Sequence, residues 1–140
     1  MAYIDTSVLV AYYCPEPLSA KAERAIRKVD APTISPLTEV EFCSALAIKV
    51  RTRDLDVRAA EQLLSRLRLH VEERRYRIVP VETKEYVLAC DWIGRFSAPL
   101  RTADALHLAT AYAAGLPILT ADRDLARSAA QSGIEHKLIS

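Results

Sequence analysis

The sequence predicts an α/β sandwich with a mainly parallel central sheet. Three observations predict it: short apolar runs of strand length alternate with longer segments of helical period, Pro and Gly punctuate the joints, and two of the apolar runs deliver an acid at their carboxyl end. At 140 residues, with 51% hydrophobic content, the chain fits one domain over residues 1–140 and can bury a real core.

The elements follow in order. Ala2 to Ile4 reads as a buried strand ending at Asp5, and Thr6 and Ser7 then open a helix through Val8, Leu9, Tyr12 and Tyr13, closed by Pro15 and Pro17. Leu18, Ala22, Ala25, Ile26 and Val29 recur at helical spacing, with Lys21, Arg24, Arg27 and Lys28 around the other face. Asp30 to Pro32 makes a turn, Thr33 to Ser35 a second strand, and Pro36 a first helical position. The helix from about Leu37 is expected to turn Val40, Cys43, Ser44, Ala47 and Ile48 inward. Glu39 and Glu41 then fall on different faces, because residues two apart are about 200° apart on a helix. Asp54 or Asp56 caps a long helix through Val57, Ala60, Leu63, Leu64, Leu67 and Val71. Ile78 to Val81 is a third strand, and Thr83 starts a helix carrying Val87, Cys90 and Ile93. After a loop at Ser97 to Leu100, Thr102 caps a nearly all-apolar helix that places Ala105, Leu108, Ala109 and Tyr112 on one face and stops at Gly115. Pro117 to Thr120 is another strand, Asp122 caps the last helix, and a final strand lies near Glu135 to Leu138.

Composition excludes several classes. Nineteen Lys and Arg against eighteen Asp and Glu give +1, so net charge names no partner and any nucleic-acid surface must be local. Cys14, Cys43 and Cys90 are odd in number and contain no CxxC pair, which argues against a disulfide framework or a zinc site and fits a reducing, cytoplasmic setting. The apolar start is broken by Asp5 and lacks a basic lead-in, so neither a signal peptide nor a membrane span is expected.

Asp104 sits in the first turn of the apolar helix. The macrodipole favours an acid there by about 0.3 to 1 kcal/mol, which by itself explains its presence. Three further acids, Asp5, Glu41 and Asp122, stand at comparable element ends, and Asp5 and Asp122 should emerge at the carboxyl edge of the sheet, where open parallel sheets place their functional crevice. Two like charges about 4 Å apart cost roughly 1 kcal/mol in water and about 4 at an effective dielectric of 20, so four converging carboxylates need protons or a cation. Nearby Thr6, Ser7, Ser35, Thr102 and Thr120 add only oxygen, and no histidine or cysteine cluster is expected. Oxygen donors select Mg²⁺ or Mn²⁺ over zinc or copper, and such an ion suits hydrolysis of a phosphate ester.

YIDTSVLVAYY at the N-terminus, SPLTEVEF, TADALHLATA and ILTADRDL, in that order and spacing, resemble the PIN domain and, within it, the VapC toxins. The resemblance runs from Tyr3 to at least Leu125. It implies a PIN-like three-layer α/β/α sandwich and a Mg²⁺- or Mn²⁺-dependent endoribonuclease that hydrolyses RNA phosphodiesters to leave a 5′-phosphate. It also implies a VapB-like antitoxin as partner and homodimerisation. Carried over by position, the metal-holding catalytic acids are Asp5, Glu41, Asp104 and Asp122, with Asp124 a weaker fifth that joins through water or only favours its helix N-terminus. Glu41 is chosen over Glu39 because Phe42 follows it at the family's spacing from Ser35. Ser7 stands where many members carry Asn, and Leu125 where many carry Phe.

Supporting candidates have ordinary readings beside functional ones. Thr6 and Thr120 can orient water or phosphate oxygens, or act as caps. Arg101 can reach a phosphate or remain solvated, and His107, three residues after Asp104, suits a base or simple packing. Lys49 to Arg77 carries a local +4 against −3 for the remainder, which can steer RNA or be a solvated face. Tyr12, Tyr13 and Tyr86 can stack on bases or pack inward. A non-catalytic binding module and an aspartyl phosphotransfer domain with Asp5 as acceptor are the competing functions; the absence of DxD at Asp5 counts against the second.

Overall fold

The computed structural model describes residues 1–140. In chain order the elements are β1 (Ala2–Ile4), α1 (Thr6–Tyr13), α2 (Ser19–Arg27), β2 (Pro32–Ile34), α3 (Pro36–Arg51), α4 (Val57–Glu72), β3 (Arg77–Ile78), α5 (Thr83–Ile93), α6 (Thr102–Ala113), β4 (Ile118–Thr120), α7 (Arg123–Gln131) and β5 (His136–Leu138). The five strands form one sheet of order β3-β2-β1-β4-β5, and every pairing is parallel. No helix is long and apolar enough to cross a membrane.

The strand period divides the core into two layers. On β1 and β4, Ile4 and Leu119 pack into one cluster with Val8, Leu9, Phe42, Leu46 and Leu67, while Tyr3 and Ile118 pack into another with Leu108, Ala111, Leu125 and Ala129. Helices α1 to α4 therefore cover one face, and α6 and α7 the other, with α5 packed on α6. Burial on both faces is why these strands read as continuous apolar runs rather than alternating ones. The result is the expected three-layer α/β/α sandwich.

The order of the sheet reverses between β1 and β4. The chain builds outward from β1 to β2 and β3, then returns to lay β4 against the other side of β1. Asp5 and Asp122 follow these two central strands, so they flank the crevice at the switch point.

Several expectations shift. The inward face of α3 is Thr38, Phe42 and Leu46, with Phe42 fully buried, while Val40 is 65% and Ile48 49% exposed. Apolar residues surround this helix, so spacing alone did not single out the face that meets α1 and α4. The third strand occupies Arg77–Ile78 rather than Ile78 to Val81. Val79 N–H still donates to Ile34 O, but Pro80 has no N–H to continue the ladder. Arg101, not Thr102, is the N-cap of α6, and Tyr112 lies 59% exposed, edge-on to Trp92 at 5.8 Å between ring centroids. On α5, Val87 and Cys90 also face outward. Of the two candidate caps for α4, Asp56 performs the role, accepting from Ala59 N–H at 2.7 Å.

These positions separate two variants of the same helix. Phe42→Ala is expected to destabilise the protein by about 3–5 kcal/mol in denaturant unfolding, and Val40→Ala by less than about 0.5 kcal/mol; equal effects would contradict the assigned face of α3.

Candidate functional site

One open cleft of ≈ 500 Å³ lies at the carboxyl edge of the sheet, and Asp5, Glu41, Asp104 and Asp122 all line it, together with Thr6, Ser7 and Glu16. No lysine or arginine side chain lines it. Each acid arrives from a different element, and each is held differently.

Asp5 terminates β1 and is 4% exposed. Its Oδ2 accepts from Ser7 Oγ at 2.6 Å and from Thr120 Oγ1 at 2.9 Å, and Thr120 Oγ1 in turn accepts from Asp122 N–H at 3.0 Å. Ser7 Oγ also accepts from Ala121 N–H at 2.9 Å, so this short hydroxyl ties the start of α1 to the end of β4. Glu41, one turn into α3, accepts from Thr6 Oγ1 at 2.8 Å and from His107 Nε2. Glu39 lies on another side of the helix and pairs with Arg68 at 3.2 Å. Asp122 caps α7, its Oδ1 accepting from Asp124 and Leu125 N–H at 2.8 and 3.3 Å. Asp124 itself is outside the cleft lining, with its side chain 77% exposed and 3.5 Å from Arg127. Asp124 thus stands in the first turn of α7, outside the lining of the acid cleft.

His107, expected either as a base or in simple packing, stands buried against the acids. It is fully buried on α6, with Nε2 against Glu41 and 3.8 Å from Asp5 Oδ1, and Asp5, Glu41 and His107 offer ligand atoms within 4.8 Å of one another. Its other nitrogen, Nδ1, lies 2.7 Å from the Tyr3 hydroxyl, which also meets Ser35 Oγ at 2.8 Å. Burial pushes the Tyr3 phenol up to about 12, partly offset by its Ser35 and Thr38 contacts, so it keeps its proton. Two carboxylates facing Nε2 require a proton there. The consistent pattern has Ser35 donating to Tyr3, Tyr3 to Nδ1, and Nε2–H to Glu41. In this tautomer His107 orients the acids and leaves ligation to oxygen. The signal was present in the sequence, since residues three apart share a helix side; what spacing could not supply was the buried Tyr3 relay. Tyr3 and Glu16 carry no signal of their own in the sequence, while Ser7 stands out there as an oxygen near the acids and as a departure from the family pattern.

Charge in the cleft is unbalanced. Burial alone would raise Glu41, but the hydrogen bonds it accepts from His107 and then Thr6 hold it below the usual carboxylate range. Asp104 has no such donor. Burial first, then the charges of Asp5 and Asp122, push it from its ordinary 3.8 up to about 6, well beyond what the helix dipole can offset. A hard divalent cation fits this donor set: carboxylate and hydroxyl oxygen, excess negative charge and no competing basic side chain.

Residues 2–131 match the sequence pattern of the family described as PIN domain. The chain belongs to the PIN domain family. No curated protein matches it in sequence. Among solved structures, this PIN domain is similar to FitAcB from Neisseria gonorrhoeae (TM-score 0.76, 18% identity, 97% of this chain and 96% of that one). It is also similar to VapC20 of Mycobacterium tuberculosis, described as a Sarcin-Ricin loop cleaving toxin (0.72, 19%, 91% and 95%). A third is VapBC2 from Rickettsia felis bound to a promoter DNA fragment (0.70, 15%, 100% and 100%). At these identities the likeness establishes a shared fold.

The raised Asp104 has a signed consequence for stability. Its folded-state pKa exceeds the unfolded value, so the native state binds the extra proton between about 4 and 6 and the acid becomes destabilising as pH rises through that window. Asp104→Asn is therefore expected to raise the melting temperature of the EDTA-treated protein by a few degrees at pH 8 and by little at pH 4, measured by thermal unfolding.

Proposed function

We propose that this PIN domain is a Mg²⁺- or Mn²⁺-dependent endoribonuclease of the VapC toxin type. The observation that carries the reading is the meeting of Asp5, Glu41, Asp104 and Asp122 in one open cleft without a basic side chain among them. Asp5, Glu41, Asp104 and Asp122 would hold the cation, directly or through water. When bound, the cation lowers the pKa of water and polarises the phosphodiester. Around it the chain's residues position and exclude. Ser7 and Thr120 fix the Asp5 carboxylate, while Thr6 and His107 fix that of Glu41. Asp122 keeps one oxygen, Oδ2, clear of its cap hydrogen bonds and available to the cleft. Asp104, whose carboxyl is pushed up to about 6 by burial and then by its acidic neighbours, would be favoured in its charged form by a bound cation.

RNA is the substrate by the character of the cleft and by the fold's company, which includes a toxin described as cleaving the Sarcin-Ricin loop. The exposed basic residues of α4 and the turn after it favour phosphate contact, although Arg68 and Arg75 are already paired with Glu39 and Glu73. A VapB-like antitoxin partner is supported by the toxin–antitoxin assemblies of similar fold, and homodimerisation by the exposed apolar side chains of α5 and α6, Val87 and Tyr112. The phosphotransfer alternative fares worse: Asp5 is nearly buried, and one of its oxygens already accepts from two hydroxyls.

Purified protein is expected to cut single-stranded RNA with Mn²⁺ and to stop with EDTA. Asp5→Asn and Glu41→Gln should lose more activity than the about 10- to 100-fold expected for removing an outer partner, as in Thr6→Val or His107→Gln. RNA binding without turnover in the metal-loaded protein would instead support a non-catalytic module. In a separate measurement, millimolar Mn²⁺ should raise the melting temperature of the parent protein and have little effect on Asp5→Asn.

A further inference from the structure

Glu16 shares the cleft with the four acids but is used by none of the steps above. It follows α1 in the segment Cys14-Pro15-Glu16-Pro17-Leu18, where two prolines restrict the backbone. Ser19 closes the segment: its Oγ donates to Cys14 O at 2.9 Å and accepts from Glu16 N–H at 3.0 Å, while its own N–H donates to Glu16 O at 3.0 Å. Glu16 is therefore presented on a braced turn, and its carboxylate makes no hydrogen bond or ion pair within the chain. The same cleft is also lined by the apolar side chains of Val10, Leu18, Ala45 and Ile48. Ile48 is 49% exposed.

The cleft thus combines acids that attract a cation with apolar side chains and one carboxylate, Glu16, that has no partner within the chain. A polynucleotide can satisfy both in one orientation. Its phosphate goes to the cation, because the bare Glu16 carboxylate repels it, and a base lies on the apolar side chains with its Watson–Crick edge toward Glu16. A carboxylate accepts hydrogen bonds and donates none, so it selects bases by their donors. Guanine alone presents two adjacent donors, N1–H and N2–H, that match two carboxylate oxygens. Adenine and cytosine place an acceptor beside their amino group, and uracil flanks its single N–H with carbonyls.

Resting on the ribonuclease reading, we propose that Glu16 is a base-reading residue that selects guanine in single-stranded RNA beside the cleaved phosphate. The prolines and the Ser19 clasp supply the rigidity that such a pair of charge-assisted hydrogen bonds requires. Leu18 and Ile48 supply the surface on which the base rests.

The test uses binding, so that it does not depend on turnover. Labelled uridine-rich pentaribonucleotides with G, A, C or U at the centre are titrated, with Mn²⁺, into the full chain carrying Asp104→Asn, and into the same chain with Glu16→Gln or Glu16→Ala. With Glu16 present, the G oligonucleotide is expected to bind at least about tenfold tighter than the U oligonucleotide. Both substitutions should abolish that ratio without weakening the U oligonucleotide and with unchanged thermal unfolding. An absent preference for G, or one that survives Glu16→Gln, overturns the proposal. Sequencing of the products made by the parent protein gives the second readout: cuts cluster beside G and lose that bias in Glu16→Gln. Failure of the parent protein to cut any RNA with Mn²⁺ counts against the ribonuclease reading, while the binding ratio still decides the role of Glu16.

Discussion

Mutual repulsion among carboxylates is the constraint around which this molecule is arranged. Like charges repel most strongly where water is excluded, and Asp5 is almost wholly buried beside Glu41 and Asp104. The fold limits that cost with neutral donors. Ser7 and Thr120 serve Asp5, Thr6 and His107 serve Glu41, and backbone N–H groups at the start of α7 serve Asp122. Asp104 is left without a hydrogen-bond donor, and the remaining imbalance appears as its raised proton affinity. A site of this kind is stable only when the rest of the domain supports it, here through two apolar clusters, one on each side of the sheet.

The sheet converts distant sequence positions into neighbours. Thr120 donates to Asp5 across 115 residues, and Tyr3 meets His107 across 104. Both contacts follow from laying β4 directly beside β1, which sets the ends of the two central strands together. One short strand serves both halves of the design: Tyr3 points to the α6 side, where it steadies His107, and Ile4 points to the opposite core. The following residue, Asp5, then lies at the open edge. Three consecutive side chains thus take part in a relay, a core and a site because successive strand residues alternate in direction and the strand ends there.

Shared shape and shared chemistry are separate arguments for this chain. Solved structures at 15–19% identity agree with it over nearly the whole length, which speaks to the fold. Function has to be argued from the site, because one fold supports many activities. The site's own character, oxygen donors in excess with no basic side chain beside them, is what fits a hard divalent cation.

Much of this was legible along the chain. The Ala2–Ile4 run ending on Asp5, the Asp122 cap, and Asp104 at the start of an apolar helix are local patterns, decided by period, by caps and by neighbouring residues. The face of α3 was not legible, because Val40 and Ile48 are as apolar as Phe42 and Leu46, and only the positions of α1 and α4 determine which are covered. The stop at Pro80 was readable in principle, yet the apolar residues from Ile78 to Val81 suggested a longer strand than the ladder permits. Tyr3 and Glu16 belong to the tertiary structure most completely. Their residue types are ordinary and their sequence neighbours uninformative, and their roles arise from distances between separate elements. Sequence by itself determined which residues could bear charge at element ends; packing decided which of those charges meet, because electrostatic and hydrogen-bond energies depend on separation in space, to which order along the chain is only a loose guide.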